Sequence, residues 1–149
     1  MTVAFILVKQ FFKTWPRLRL TSLKRDLVAM GGSMAVKGAS NRIKDALLSW
    51  PDVSAHPHRF GGTEYRIGQR EIGHIHGDWL VDIPFPTKVR NEIVAAGRAE
   101  PHHILPDSGW ISFYLREDSD VQKAIDLFRE SYEIALKQKS KSSSSPVVE

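Results

Sequence analysis

The chain has 149 residues, no cysteine and a formal net charge of +4 at pH 7. This length suits one domain. The absence of cysteine excludes disulfides, thiolate zinc sites and cysteine nucleophiles, so any metal ion would take histidine or carboxylate ligands. The six histidines all fall between positions 56 and 103. Because imidazole binds metals and moves protons near neutral pH, this clustering indicates a site.

The first 25 residues carry lysines and arginines but no acidic residue, with aromatic side chains interleaved. Such a stretch is typical either of an arm or helix packed on the domain or of a peripheral contact with an anionic membrane. Glycines between 31 and 38 predict a linker, so residues 1–39 are assigned to a basic arm and linker. The apolar run Val3–Val8 is too short to span a bilayer, and no signal peptide is predicted. We therefore expect a cytoplasmic protein, with membrane association through residues 1–25 as the alternative.

A first helix is predicted from Ser40 to Trp50, because apolar residues recur there at helical spacing and Pro51 follows. From Phe60 onward the hydrophobic period changes to two. Two-residue turns at Gly68-Gln69 and Gly77-Asp78 then predict a three-stranded antiparallel meander.

A second helix is predicted to begin at Thr87 and to end at Gly97. Two extended runs follow, at 99–105 and 110–115, and a last helix runs to Lys137. The polar tail at 138–149 is predicted to be disordered. Residues 40–137 are thus expected to form a single small α+β domain of order α-β-β-β-α-β-β-α. It would combine an antiparallel five-stranded sheet, made of the meander and two further strands, with about three helices.

Two-residue turns would fix a register in which His74 and His76 share one side of the sheet with apolar residues. These apolar residues are Tyr65, Ile72, Trp79, Val81 and Ile83. Because helices would cover that side, both histidines are expected at the sheet–helix interface. The other side is expected to face solvent, with Arg66 paired across strands to Glu71. It would carry Glu64, Arg66, Glu71, Gly73 and Asp82.

Side chains two apart in a strand point the same way, so His74 and His76 can converge on one ion or ligand. His102 or His103 would complete a three-histidine set for a divalent metal ion. The other interpretation is that His74 and His76 are partly buried residues that hydrogen-bond to the backbone or to Asp82.

The remaining candidates are less specific. His56 and His58 flank Pro57 and are expected in a loop before the first strand. Trp110 and Tyr114 share one face of the fifth run, where they would either line a cleft for a flat ligand or cover the sheet edge.

The segment Arg70-Glu71-Ile72-Gly73-His74-Ile75-His76 resembles the Arg-Glu-Ile-Ala-His-Met-His segment of the fungal luciferases. Further along, His103-Ile104-Leu105 is similar to their His-Pro-Leu segment, and Trp110 with Tyr114 matches a Trp and Tyr four residues apart. The resemblance covers roughly residues 56–136 and extends to proteins called luciferase-domain-containing. By analogy, the order of elements resembles small domains of the YjbR-like double-wing type.

Fungal luciferases oxidise 3-hydroxyhispidin, a hydroxylated styryl-pyrone, with molecular oxygen. The resemblance therefore implies oxygen-dependent oxidation of a small enolic or phenolic substrate, with oxygen as co-substrate and no firmly implied cofactor. Histidine would act as general base, a role for His74 or His76, while the other ring or His103 would hydrogen-bond the developing oxyanion. The residues expected to bind substrate are Arg70, Tyr65, Trp79, His102, Trp110 and Tyr114. Glu71 and Arg66 would give structural support.

Two alternatives stay open at this point. One is a domain that binds a small ligand or a partner without catalysis, and the other is a divalent metal ion held by His74, His76 and His102 or His103. Nucleic acid is not an expected partner, because the cations of the N-terminal stretch lie outside the domain. The sequence predicts no oligomeric state.

Overall fold

The computed structural model describes residues 35–143. The elements in chain order are α1 (Ala39–Leu48), β1 (Val53–Pro57), β2 (Thr63–Ile67), β3 (Arg70–His76), β4 (Leu80–Pro84), α2 (Thr87–Ala95), β5 (Glu100–Pro101), β6 (Trp110–Tyr114) and α3 (Ser119–Ser143). Positions 1–34 of the predicted basic arm and linker lie outside the described residues, and so does the predicted membrane contact through residues 1–25. Among the described residues, no helix is both long and apolar enough to cross a bilayer. The cytoplasmic location stays a prediction.

The strands form one antiparallel six-stranded sheet in the order β1-β2-β3-β4-β6-β5. The predicted small α+β domain is confirmed, but the described sheet has six strands instead of five. The additional strand is β1. The sequence analysis predicted a loop around Pro57, where this strand ends. Because β1 lies at an edge of the sheet, Pro57 is tolerated there despite having no backbone N–H. The YjbR-like comparison stays a prediction.

Helices α1 and α3 pack on one face of the sheet and bury the core with it. The core includes Ile43, Leu47, Tyr65, Ile72, Ile75, Val81, Ile83, Ile111, Leu115, Leu127 and Phe128. Helix α3 continues through 138–143, where the sequence predicts the beginning of a disordered tail, because lysine and glutamine are compatible with a helix. Positions 144–149 of that tail lie beyond the described residues.

The register between β2 and β3 contains a bulge that the sequence analysis did not predict. Ile67 pairs with Arg70 as expected from a two-residue turn, but Tyr65 pairs with Gly73 instead of Ile72. Gly73 has φ of 140°, and a Cβ atom there would lie 2.5 Å from Phe128 Cε1. Glycine is therefore required where β3 passes under α3.

The connection from β3 to β4 has three residues, Gly77 to Trp79, where two were predicted. His76 consequently pairs with Leu80 and His74 with Asp82. A change of one residue moves every side chain of a strand to the other face. Asp82 thus shares the face of His74 and His76, and this face lies opposite the helices. The predicted location of both histidines at the sheet–helix interface is wrong, because the bulge in β3 and the longer turn place them opposite the helices. Asp82 lies on the predicted face, but it is buried beside the histidines and does not face solvent.

Candidate active site

The carboxylate of Asp82 lies at the centre of the histidine cluster, and its residue is 0% exposed. Its Oδ2 atom lies 3.4 Å from His74 Nε2, 3.3 Å from His76 Nε2 and 3.7 Å from His102 Nε2, while His103 Nδ1 is 3.5 Å from Oδ1. A buried carboxylate is costly unless polar groups compensate it. Burial alone would raise the pKa of Asp82, but the surrounding imidazoles outweigh this and hold it well below its usual range. Asp82 is therefore an anion in the fold.

Ser112 connects Asp82 to His103. It pairs with Asp82 across β4 and β6, and its hydroxyl donates to Asp82 Oδ1 at 2.6 Å. Since a carboxylate only accepts, the hydroxyl proton points to Asp82 and the lone pairs are left for His103. The backbone N–H of His103 and its ring Nδ1 lie 3.1 Å and 2.9 Å from Ser112 Oγ. His103 thus carries its proton on Nδ1 and a lone pair on Nε2, and its side chain is 20% exposed.

His74 lies between two carboxylates. Its Nδ1 is 2.6 Å from Glu71 Oε1, and its Nε2 faces Asp82. Burial would lower the pKa of His74, but Asp82 and Glu71 outweigh burial and raise it to about 9. With only these protein groups around it, His74 is an imidazolium at neutral pH.

His102 is held in the opposite state. The backbone N–H groups of Ile104 and Leu105 donate to its Nδ1 at 3.2 Å and 3.0 Å. Because Nδ1 accepts, the ring proton is on Nε2, which points to Asp82. Burial lowers the pKa of His102 to about 4, so this ring is neutral near pH 7.

His58 stacks on His74, with ring centroids 3.8 Å apart and an interplanar angle of 14°. Its Nδ1 lies 3.3 Å from the carbonyl oxygen of Gly61, in the turn after β1. Burial and then the charge of His74 lower the pKa of His58 to about 4. A neutral ring on a charged ring is the arrangement that avoids repulsion between two stacked cations.

Trp110 gives the cluster an aromatic wall. Its ring centroid lies 5.3 Å from that of His74 and 6.0 Å from that of His102. Trp110 begins β6 on the face opposite Ile111, which is in the core as predicted. A flat ligand beside the histidines would therefore meet an indole ring.

Two residues predicted to bind substrate are not brought to the cluster. Tyr65 lies in the core on the helix side, with its ring 5.9 Å from that of Phe128. The bulge in β3 separates Tyr65 from the histidines, because it pairs Tyr65 with Gly73. Arg70 lies at the β2–β3 turn, where it hydrogen-bonds to Gln138 of α3.

The other predicted residues have partners of their own. Trp79 and Tyr114 pack side by side, with ring centroids 6.3 Å apart. Arg66 lies opposite Glu71 as predicted, but its ion pair is with Glu64. Glu71 supports the site through its contact with His74.

The sequence predicts Asp82 only as a possible hydrogen-bond partner of His74 and His76, and it does not place Ser112 or His58 in the site. Asp82 was placed on the other face because the β3–β4 turn was read as two residues. Ser112 belongs to no motif, and only its pairing opposite Asp82 reveals it. His58 was assigned to a loop, and its stacking on His74 depends on the turn after β1, for which the sequence gives no signal.

Within residues 35–143, three groups of side chains offer potential metal-ligand atoms within 4.8 Å of one another. They are His58, His74 and His76; Asp82, His102 and His103; and His58, Glu64 and Glu71. The predicted set of His74, His76 and His103 is divided between the first two groups.

The fold and the site define a small α+β domain with a buried carboxylate held among histidines on the sheet face away from the helices. Residues 69–131 match the family model described as Luciferase domain. This match supports a luciferase-domain family for the stretch, in agreement with the resemblance noted in the sequence. The matched stretch includes His74, His76, Asp82, His102, His103 and Ser112. No curated protein and no solved structure matches the chain. The link to the fungal 3-hydroxyhispidin luciferases stays a prediction.

Proposed function

We propose that this domain catalyses the oxygen-dependent oxidation of a small enolic or phenolic compound at the Asp82 cluster. The family match and the histidine-rich cluster fit a luciferase-like role. The observation that carries the finer proposal is the chain of hydrogen bonds from Asp82 through Ser112 to His103. It orients a ring nitrogen with a free lone pair at the accessible side of a buried, charged site.

In this proposal His103 is the general base. Its Nε2 takes the proton of the substrate hydroxyl, and Asp82 stabilises the resulting imidazolium through Ser112. The substrate anion then gives electrons to molecular oxygen and forms a carbon–oxygen bond with it. When His103 returns the proton to the peroxide, the product is a hydroperoxide. One oxygen molecule has then been added to the substrate, and no external reductant is consumed.

The proposal assigns His74 a different role from the one expected from the sequence. Both of its ring nitrogens face carboxylates, so it offers no free lone pair to accept a proton. Its positive charge, in a ring that is 8% exposed, instead favours the anionic substrate and the developing peroxide. His76 hydrogen-bonds to the oxyanion, and Trp110 stacks on the substrate ring.

The test is oxygen uptake with 3-hydroxyhispidin and simpler hydroxypyrones, with binding followed by isothermal titration. The variant is His103→Gln, and the matched control is His56→Gln, because His56 is exposed on β1 and bonds to Ser54. We expect the control to behave as the original chain does, whereas His103→Gln keeps binding and loses about 100-fold or more of its uptake rate. Equal uptake by His103→Gln and the control, or no binding of any compound, would overturn the proposal.

A further inference from the structure

One buried oxygen atom of the site accepts no hydrogen bond from residues 35–143. Asp82 Oδ1 accepts from Ser112, but Oδ2 has no hydrogen-bond partner within the described part of the chain. Three imidazole Nε2 atoms surround Oδ2 at 3.3 to 3.7 Å, with distances longer than the about 2.7–2.9 Å of a charge-assisted hydrogen bond. An unsatisfied buried carboxylate oxygen inside a ring of histidines indicates that something else belongs there.

The distances from Asp82 Oδ2 to the nitrogens of His74 and His76 suit ligands around a metal ion. With bonds of about 2.0–2.1 Å in tetrahedral geometry, two ligand atoms lie roughly 3.3–3.4 Å apart. His76 Nε2 and His74 Nε2 lie 3.3 Å and 3.4 Å from Asp82 Oδ2. We propose that His74 Nε2, His76 Nε2 and Asp82 Oδ2 form a binding site for one divalent transition-metal ion. Binding of the ion releases the Nε2 proton of His74, and the ion then supplies the positive charge that the imidazolium supplies without it.

Hydrogen bonds decide which histidines belong to the ligand set. Nδ1 of His102 accepts two backbone N–H groups, so its Nε2 carries a proton and has no lone pair for a metal ion. The His103 nitrogen that faces Asp82 is Nδ1, and because Nδ1 carries the proton donated to Ser112, it has no lone pair for an ion at Asp82. The set therefore contains Asp82 in place of the third histidine that the sequence suggested.

Glu71 supports the same assignment. Ligating histidines commonly donate their second ring N–H to a carboxylate, which fixes the ring orientation. Glu71 Oε1 lies 2.6 Å from His74 Nδ1 and thereby aims Nε2 of the same ring at Asp82. Entry of an ion is possible beside His76, whose side chain is 12% exposed.

The chemistry of the donors indicates the class of ion. Two imidazoles and one carboxylate, with further positions open, are the ligand set of non-haem iron(II) oxygenases, and the same donors also bind cobalt and zinc. The preference for iron rests on the proposed function. The metal site itself rests only on the positions of His74, His76 and Asp82. In an iron-loaded protein the open positions would be available to a substrate oxygen atom.

The first experiment uses the full chain without an affinity tag, stripped by a chelator and titrated anaerobically with Co²⁺ alone. We expect one ion per chain, with visible absorption bands that report nitrogen and oxygen ligands. His76→Gln should weaken binding at least 100-fold, and Glu71→Gln by about 10- to 100-fold. The control His56→Gln should bind as the original chain does. Circular dichroism checks that each variant is folded. A second ligand variant, Asp82→Asn, alters a buried carboxylate. Because His76 lies at the accessible edge, His76→Gln remains informative if Asp82→Asn does not fold.

Failure of this inference is distinguishable from failure of the proposed function. Absence of Co²⁺ binding by the original chain, or unchanged binding by folded His76→Gln, overturns the metal site. Oxygen uptake that is undiminished in chelator-treated protein overturns the role of the ion and leaves the His103 mechanism standing. A bound ion without uptake of any hydroxypyrone supports the site and counts against the proposed function.

Discussion

Asp82 and Ser112 face each other across β4 and β6, and the serine hydroxyl donates to the buried carboxylate at 2.6 Å. This pair joins the centre of the sheet to the β5–β6 loop, because Ser112 also accepts from the backbone and ring of His103. One hydroxyl group thus donates to one oxygen of the buried carboxylate and orients the most accessible imidazole of the cluster. Stability and site geometry depend on the same atom.

Replacing Ser112 with alanine should affect both properties. Asp82 Oδ1 would lose its donor, and an unsatisfied buried group costs about 1–3 kcal/mol. We expect a lower midpoint in urea unfolding together with reduced oxygen uptake in the assay proposed above. Ser49→Ala is the matched control, because Ser49 is exposed and bonds only to a helix carbonyl. If Ser112→Ala unfolds at the same urea concentration as Ser49→Ala, the hydrogen bond to Asp82 contributes nothing to stability.

Gly73→Ala should be among the most destabilising substitutions in the sheet. The added Cβ would lie 2.5 Å from Phe128 Cε1 and 2.9 Å from the carbonyl oxygen of Asp82, at a φ of 140°. Because backbone and a packed ring must both move, we expect a loss of about 3 kcal/mol or more in the free energy of unfolding. Gly68→Ala provides the comparison, since its φ is 59° but nothing lies within 4 Å of the added atom. Its cost should be about 1–2 kcal/mol, and equal losses in the two variants would contradict the steric explanation.

The same glycine shows what the sequence could predict and what it could not. Alternating patterns and turn residues were enough for the α+β class, the first hairpin and the buried side of β6. They could not reveal that β3 contains a bulge at Ile72 or that the next turn has three residues. Both depend on contacts between distant segments. Phe128 leaves no room for a side chain at Gly73, and the beginning of α1 hydrogen-bonds to Asp78 in the turn. Each shifts the pairing by one residue, so the grouping of Asp82 with His74 became visible only in three dimensions.

Asp78 is the residue through which α1 holds that turn. Its carboxylate accepts from the backbone N–H groups of Gly38 and Ser40 and from the Ser40 hydroxyl. It thereby satisfies amides at the beginning of a helix that has no side-chain cap of its own. We expect Asp78→Ala to cost about 1–2 kcal/mol in urea unfolding, as loss of a helix cap does.

The control for Asp78 is Asp107→Ala, at an exposed position in the β5–β6 loop. Amide exchange adds a readout specific to this contact, because the first-turn amides of α1 should exchange faster in Asp78→Ala. Unaltered exchange at Gly38 and Ser40 would show that the carboxylate does not cap α1.

Stability in acid should depend on Asp120, which lies in the first turn of α3. Its carboxylate accepts from the backbone N–H groups of Arg116 and Glu117 and pairs with Lys123. Burial would raise the pKa of Asp120, but these donors outweigh burial and lower it. A carboxyl group with a lowered folded-state pKa contributes stability above its unfolded pKa of about 3.9, and the contribution is lost as pH falls through the folded value.

Asp120→Asn should therefore be less stable than the original chain at pH 7, and the difference should be smaller at about pH 3, because the contribution of the charge decreases once pH falls below the unfolded pKa of about 3.9. Urea unfolding at the two pH values measures this change. Asp126→Asn serves as the control, since Asp126 is exposed on α3 and accepts only from Gln122 among the hydrogen bonds found there. A stability difference for Asp120→Asn that stays constant from pH 7 to pH 3 would show that hydrogen-bond geometry, and not the charge of Asp120, stabilises the beginning of α3.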